Sequence, residues 1–253
     1  MISVASDAKI GRYLSNILQL KKGGDNIKLK PIADFMANRL SEQFGVKPTY
    51  ELEATPTWLP TYPRKDIFED CWSIVSEIYS HLINHNWTLD ERLIQYEDQL
   101  SSSGQKIDIY FHEPYSFIFE FDETQHFNQF RYITLNHCHI YDDLLSNYPD
   151  YLSWNESVTK KPGKSGFQKL KGFDPLFPPL LKGDNQDNRI RQRAFRDFLK
   201  DIIPRCIIHL NPTVRVSYHV TDKVVRDFTG DDLKKVGVYL DRICLWDRIN
   251  LCF

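Results

Sequence analysis

The stretch KIDIYFHEPYSFIFEFDETQHF, Lys106 to Phe127, decides how this chain is read. Apolar and polar residues alternate through Ile107, Asp108, Ile109, Tyr110 and Phe111. That period of two predicts a strand over Lys106–Phe111 with Asp108 and Tyr110 on one face. A turn at Glu113-Pro114 leads to a second strand, Tyr115–Asp122. There Phe117, Phe119 and Phe121 face one way and Ile118, Glu120 and Asp122 the other. Paired antiparallel, the two strands bring Asp108, Glu120 and Asp122 to one side of a sheet. Carboxylates crowded on otherwise apolar strands repel one another unless a cation neutralises them. Hard oxygen donors with open positions suit Mg2+ or Mn2+. The plainer reading, the solvated face of a half-exposed strand, accounts for Glu120 and Asp122 at least as well from alternation alone.

The chain around this stretch is 253 residues long, 42% hydrophobic and 13% aromatic, enough to close a sizeable core and to exclude a disordered polymer. No run of 18 apolar residues predicts a membrane span, and the opening MISVASDAKIGRY lacks the apolar stretch of a signal peptide. Five dispersed cysteines (Cys71, Cys138, Cys206, Cys244, Cys252) without C-x-x-C spacing read as reduced thiols of a cytoplasmic protein.

A formal net charge of −2 conceals a segregation. Leu152 to Arg215 holds 13 basic against six acidic residues, a net of +7, which leaves 19 basic against 28 acidic elsewhere, a net of −9. Asp108 to His126 contains five acids and no Lys or Arg. An acidic segment beside a basic one fits a metal-dependent enzyme acting on a phosphodiester, and fits ordinary surface variation too.

Residues 1–64 read as a helical extension, with helices at Asp7–Leu20 and Pro31–Phe44, followed by a Pro-rich linker carrying Pro48, Pro56, Pro60 and Pro63. Residues 65–253 read as the core. It has a helix at Asp66–Asn84, a helical Gln125–Leu145, a long loop over Tyr148–Gly183 whose basic part is 152–183, and strands at Cys206–Leu210 and Thr213–His219. Asp231–Trp246 closes the chain as a helix. Asn188–Ile203 is the clearest helix. At about 100° per residue, Arg189, Arg193, Arg196 and Lys200 fall within about 60° of one another, opposite the apolar face. The fold class expected is α/β or α+β, a mixed sheet flanked by helices.

An Asp on one strand, then an acid-x-polar triplet on the next, resembles the PD-(D/E)XK nuclease superfamily. EFDETQHF looks closest to the branch holding the very-short-patch-repair endonucleases and related bacterial nuclease-like proteins. DNRIRQRAFRDFLKD resembles that branch's downstream Arg-bearing helix. The resemblance covers about a fifth of the chain, Lys106–Arg131 and Asp187–Arg215. It implies a restriction-endonuclease-like fold and makes Asp108 and Glu120 ligands of Mg2+ or Mn2+, with the backbone carbonyl of Phe121 as a third. Gln125 and His126 match the branch's Gln-His pair. Asp122 stands where the superfamily's lysine usually stands, and is read as a ligand of a second metal or as the residue that orients His126. Glu123 replaces the usual glycine.

These residues take the following expected roles. His126 is the general base or a phosphate ligand, since its ordinary pKa near 6.5 suits proton transfer at neutral pH. Gln125 holds the nucleophilic water. Arg131, about 1.5 turns beyond His126 on a helix, is either a phosphate contact or a surface residue. Arg191 lies amid the apolar face and needs either Asp187 or a bound phosphate as its partner. Arg189, Arg193, Arg196 and Lys200 form a backbone-phosphate track or a solvated face. Lys160, Lys161, Lys164, Lys169 and Lys171 form a nucleic-acid clamp or a tether. His137-Cys138-His139 is not a zinc site, because neighbouring helical positions point about 100° apart and no second pair follows.

The leading expectation is therefore a metal-dependent endonuclease acting on DNA, in a bacterial cytosol, serving repair, restriction or phage defence, with a homodimer among its admissible states. The rival is a nuclease-derived module that grips nucleic acid or a protein without chemistry, motivated by the missing lysine and by Glu123. A third reading is an interaction protein built on the aromatic-rich N-terminal half.

Overall fold

A computed structural model describes residues 29–83, 86–100, 104–137, 141–157, 174–178 and 187–251. The helix expected at Asp7–Leu20, the loop lysines Lys160, Lys161, Lys164, Lys169 and Lys171, and Cys138-His139 lie outside the described residues. The helices used below are α1 (Lys30–Phe44), α2 (Trp72–Leu82), α3 (Leu89–Gln95), α4 (Gln129–His137), α5 (Tyr148–Glu156), α6 (Asn188–Ile202) and α7 (Gly230–Arg242). The strands are β1 (Tyr50–Leu52), β2 (Ile109–Phe111), β3 (Phe117–Asp122) and β4 (Val214–Ser217). They form one four-stranded mixed sheet in the order β1-β2-β3-β4, flanked by helices, so the fold is α+β. Among the described residues no helix is long and apolar enough to cross a membrane.

Two compact units share the chain, and each is discontinuous in sequence. The first comprises the described parts of Met1–Ala54, Ile107–Phe121 and Val216–Phe253; the second comprises those of Thr55–Lys106 and Asp122–Arg215.

In the first unit, α1 carries a proline in its first turn, where the missing N–H costs nothing. It ends at Gly45, whose φ of 74° lets its N–H bond the Ser41 carbonyl at 2.9 Å. Gly237 on α7 admits the ring of Phe35 on α1: a Cβ there would sit 2.5 Å from the ring's Cζ. β1 pairs antiparallel with β2 and β2 with β3. Residues 29–54 are therefore more than an extension, since β1 is the edge strand of the sheet. Ile109, Phe111, Phe117 and Phe119 are fully buried, and the rings of Phe111 and Phe117 stack at 4.7 Å. β3 is buried along its whole length, so it has no solvated face.

In the second unit, α2 buries Val75, Ile78, Tyr79 and Leu82. α3, absent from the sequence reading, opens on a capping box between Thr88 and Glu91. α6 buries Ile190, Ala194, Phe195, Phe198, Leu199 and Ile202 and runs on into a π-helical turn, Ile203–Ile207. This corrects the strand expected at Cys206–Leu210: the Ile208 N–H bonds the Ile203 carbonyl at 3.2 Å, so the helical ladder widens and continues. The long loop expected from Tyr148 is also corrected. Its first nine residues are α5, with a proline in the first turn and a fully buried Tyr151 as anchor.

Candidate functional site

In the first unit, the β2–β3 register pairs Ile109 with Phe119, which carries Asp108 opposite Glu120 one step further on. Glu120 Oε1 accepts the Asp108 N–H at 3.2 Å, and Asp108 Oδ2 accepts the Phe121 N–H at 2.7 Å. Asp108 is half-buried, while Glu120 is 3% exposed. Two expected metal ligands thus stand side by side on neighbouring strands. Among the described residues no three His, Cys, Asp or Glu side chains cluster as a metal site. The expected donor set, the Asp108 and Glu120 carboxylates with the Phe121 carbonyl, consists of hard oxygens. That suits Mg2+ or Mn2+, which keep several waters and need one or two carboxylates, better than a closed cage metal.

Asp122 does something else. In the second unit it is fully buried and accepts Arg215 Nη1 with both oxygens, at 3.0 and 2.8 Å, and the Tyr151 hydroxyl at 2.5 Å. Its expected role as a second metal ligand is corrected, because a guanidinium neutralises it. Its other expected role, orienting His126, is consistent with the 3.2 Å between Asp122 Oδ1 and His126 Nδ1. His126 Nδ1 is closer still to Asp197 Oδ2, at 2.8 Å. Arg215 Nε also donates to Asp201 Oδ1 at 2.7 Å, and Arg131 Nη2 to Asp201 Oδ2 at 2.5 Å.

The electrostatics follow from a charge count. Three buried carboxylates (Asp122, Asp197, Asp201) face two buried guanidiniums (Arg131, Arg215), and a protonated His126 closes the balance. Burial alone would lower the His126 pKa, yet Asp197 and Asp122 more than reverse it and hold it above its usual value. Burial likewise works to raise Asp122 and Asp197, and is outweighed by Arg215 and His126. Both carboxylates are held below their ordinary range.

The same unit contains a cavity of about 520 Å3. Arg189, Arg193, Arg196 and Lys200, each separated from the next by three or four residues, point one side of α6 into it, and Lys106 adds a fifth cation. His126, 19% exposed, and Asp197 also line it, so the Nδ1-anchored imidazole borders the cations. Thr61, Tyr62 and Gln105 supply neutral hydroxyl and amide groups. Gly104 completes the wall, where a Cβ would stand 2.6 Å from the Pro56 carbonyl oxygen. Arg193 Nη1 also donates to the Gln125 backbone carbonyl at 3.4 Å, and Arg196 Nη2 to Asp174 at 3.2 Å.

Two expected phosphate contacts are corrected. Arg131 is fully buried and donates to Asp201, Thr134 and Tyr141, so it holds the core together and does not reach a phosphate. Arg191 forks onto Asp187 at 2.8 and 3.0 Å, donates to the Leu82 carbonyl at 2.6 Å and lies over the Phe130 ring. Of its two admissible partners it has taken Asp187. Gln125 enters the geometry through its carbonyl.

Asp197, Lys106, Thr61 and Tyr62 were missed. Asp197 had a signal, being an acid on the helix face that buries Ala194 and Phe198. Thr61 and Tyr62, polar groups in a Pro-rich connection, had none that set them apart from linker.

No curated protein and no solved structure matches the chain. A family model described as a family of unknown function, DUF7255, matches residues 91–235, and with more than half of its length matched, the chain belongs to that family.

Proposed function

We propose that the chain is a metal-dependent nuclease that hydrolyses DNA phosphodiesters. The observation that carries the reading is the pairing of Asp108 with Glu120 across β2 and β3, in a chain whose second unit holds a cation-lined cavity. Asp108, Glu120 and the Phe121 carbonyl are the groups that would hold Mg2+ or Mn2+. When bound, the ion supplies an activated water and neutralises phosphate charge. Arg189, Arg193, Arg196 and Lys200 bind phosphate oxygens, as guanidinium forks and an ammonium do. His126 holds its Nδ1 against Asp197 and Asp122, which leaves Nε2 to carry the proton exchanged with the cavity. With its pKa raised, the ring is an imidazolium to higher pH than a free imidazole. It therefore acts as a proton donor or a phosphate ligand in preference to a base.

The test is cleavage of supercoiled plasmid with Mg2+ or Mn2+, comparing the wild type with Asp108→Asn and Glu120→Gln. Metal-dependent cutting by the wild type, reduced by at least about a hundredfold in both variants, is expected. Cutting that survives both substitutions removes the assignment.

A second reading, a nucleic-acid-binding module without chemistry, is favoured by one observation: the position of the missing lysine is Asp122, sealed under Arg215. It predicts salt-sensitive DNA binding by the wild type with no cleavage under either metal.

A further inference from the structure

The cations of α6 line a depression that is about half open to solvent. They meet Lys106, Tyr62, Thr61 and Gln105 around a cavity of about 520 Å3, within the range of small-ligand sites, roughly 300–1,000 Å3. A backbone phosphodiester carries a single charge. A phosphomonoester carries about −1.5 to −2 at neutral pH and presents three strong acceptor oxygens. Among the described residues the cavity is lined by five cationic side chains and one carboxylate, Asp197, which is bonded to His126. We propose that the cavity takes a phosphomonoester carried on a nucleotide, either the phosphorylated end of a strand or a free mononucleotide, in preference to a backbone phosphodiester.

The division of labour follows from the side chains. Arg189 and Arg193 are the principal phosphate ligands, because Arg196 is ion-paired with Asp174, whereas Arg189 donates to the neutral Gln192 side chain and Arg193 to the Gln125 carbonyl. Burial and the neighbouring guanidiniums work against the charge on Arg189, and burial against that on Arg193, a cost that an incoming dianion relieves. The Tyr62 ring, half-buried in the wall, offers a face for a base. His126 in its charged form adds a donor beside the same anion.

The inference deepens the phosphate grip assigned above and rests on that reading, but its test needs no metal and no turnover. The full chain is titrated calorimetrically in buffer with EDTA. The probes are deoxyadenosine 5′-monophosphate, a dinucleoside phosphodiester without a terminal phosphate, and a short oligonucleotide with and without a 5′-phosphate. The monoester is expected to bind at least about tenfold more tightly than the diester, with that margin lost in Arg189→Gln and in Arg193→Gln and kept in the exposed Lys234→Gln. Tighter binding of the phosphorylated oligonucleotide than of the mononucleotide assigns the site to strand ends, and the reverse order assigns it to free nucleotide. Equal affinity for monoester and diester overturns the inference, as does a preference that both arginine variants leave intact. Metal-dependent cleavage without a monoester preference leaves the nuclease reading standing alone, whereas the preference without cleavage removes that reading and keeps the site.

Discussion

Arg215 on β4 grips both oxygens of Asp122 at the end of β3, at 3.0 and 2.8 Å, with neither side chain exposed. The pair is long-range in sequence, 93 residues apart, and it sits in a larger cluster in which Asp201 and Asp197 are balanced by Arg131 and a protonated His126.

Breaking that pair from one side leaves a buried charge alone. Arg215→Met is expected to lower the unfolding free energy by about 3–5 kcal/mol, read as a drop in the urea midpoint. Asp122→Asn acts in the same direction. A change under about 1 kcal/mol in both would show that the cluster does not hold the fold.

The raised pKa of His126 sets a pH dependence whose sign is fixed by linkage. A folded pKa above the unfolded value of about 6.5 means that the contribution is complete below pH 6.5 and is lost as pH rises through the folded pKa. The groups that act on the ring are Asp197 and Asp122, which favour its charge, and Arg193, which opposes it. Urea midpoints of the wild type are expected to fall from pH 6 to pH 9, with that slope flattened in His126→Asn. An NMR titration placing the imidazole at or below 6.5 contradicts the prediction.

Asp122 and Asp197 act at the other end of the scale. Their lowered pKa values contribute stability above the unfolded value of about 3.9, and this is lost as pH falls through the folded values. Acid unfolding is therefore expected below pH 4, and Asp197→Asn should blunt that acid dependence as well as destabilise. Circular dichroism against pH distinguishes the two effects.

Neutralising the cavity should act on nucleic-acid binding more than on folding. Arg193→Gln is expected to weaken DNA binding about tenfold and to reduce the slope of log K against log salt by about one. An unchanged salt slope would separate Arg193 from the phosphate.

Gly104→Val tests the wall of the same cavity. A Cβ 2.6 Å from the Pro56 carbonyl forces the backbone apart, at a cost of about 1–3 kcal/mol and with a loss of phosphate affinity. Full stability and affinity in that variant would mean that the connection adjusts freely.

Local pattern made part of this legible. Alternation located β2 and β3 because Ile109, Phe111, Phe117 and Phe119 pack while their neighbours carry the carboxylates. The stripe on α6 was visible because Arg189, Arg193, Arg196 and Lys200 recur at helical spacing. What they face was not visible: Lys106 and Tyr62 come from distant segments. The cores of Arg131 and Arg215 were equally hidden, since their partners Asp201 and Asp122 stand 70 and 93 residues away and no short-range period encodes them. α5 escaped because its pattern is polar and its anchor is the single buried ring of Tyr151, with Asn155 beside it.

The edge position of β1 has a practical consequence. A shortened chain starting at residue 65, the natural cut suggested by the prolines before it, would discard Tyr50–Leu52 and bare the amides and carbonyls of β2 along Ile109–Phe111. An uncapped apolar edge of that kind recruits strands from other molecules, so such a fragment would aggregate more readily than the chain that keeps β1.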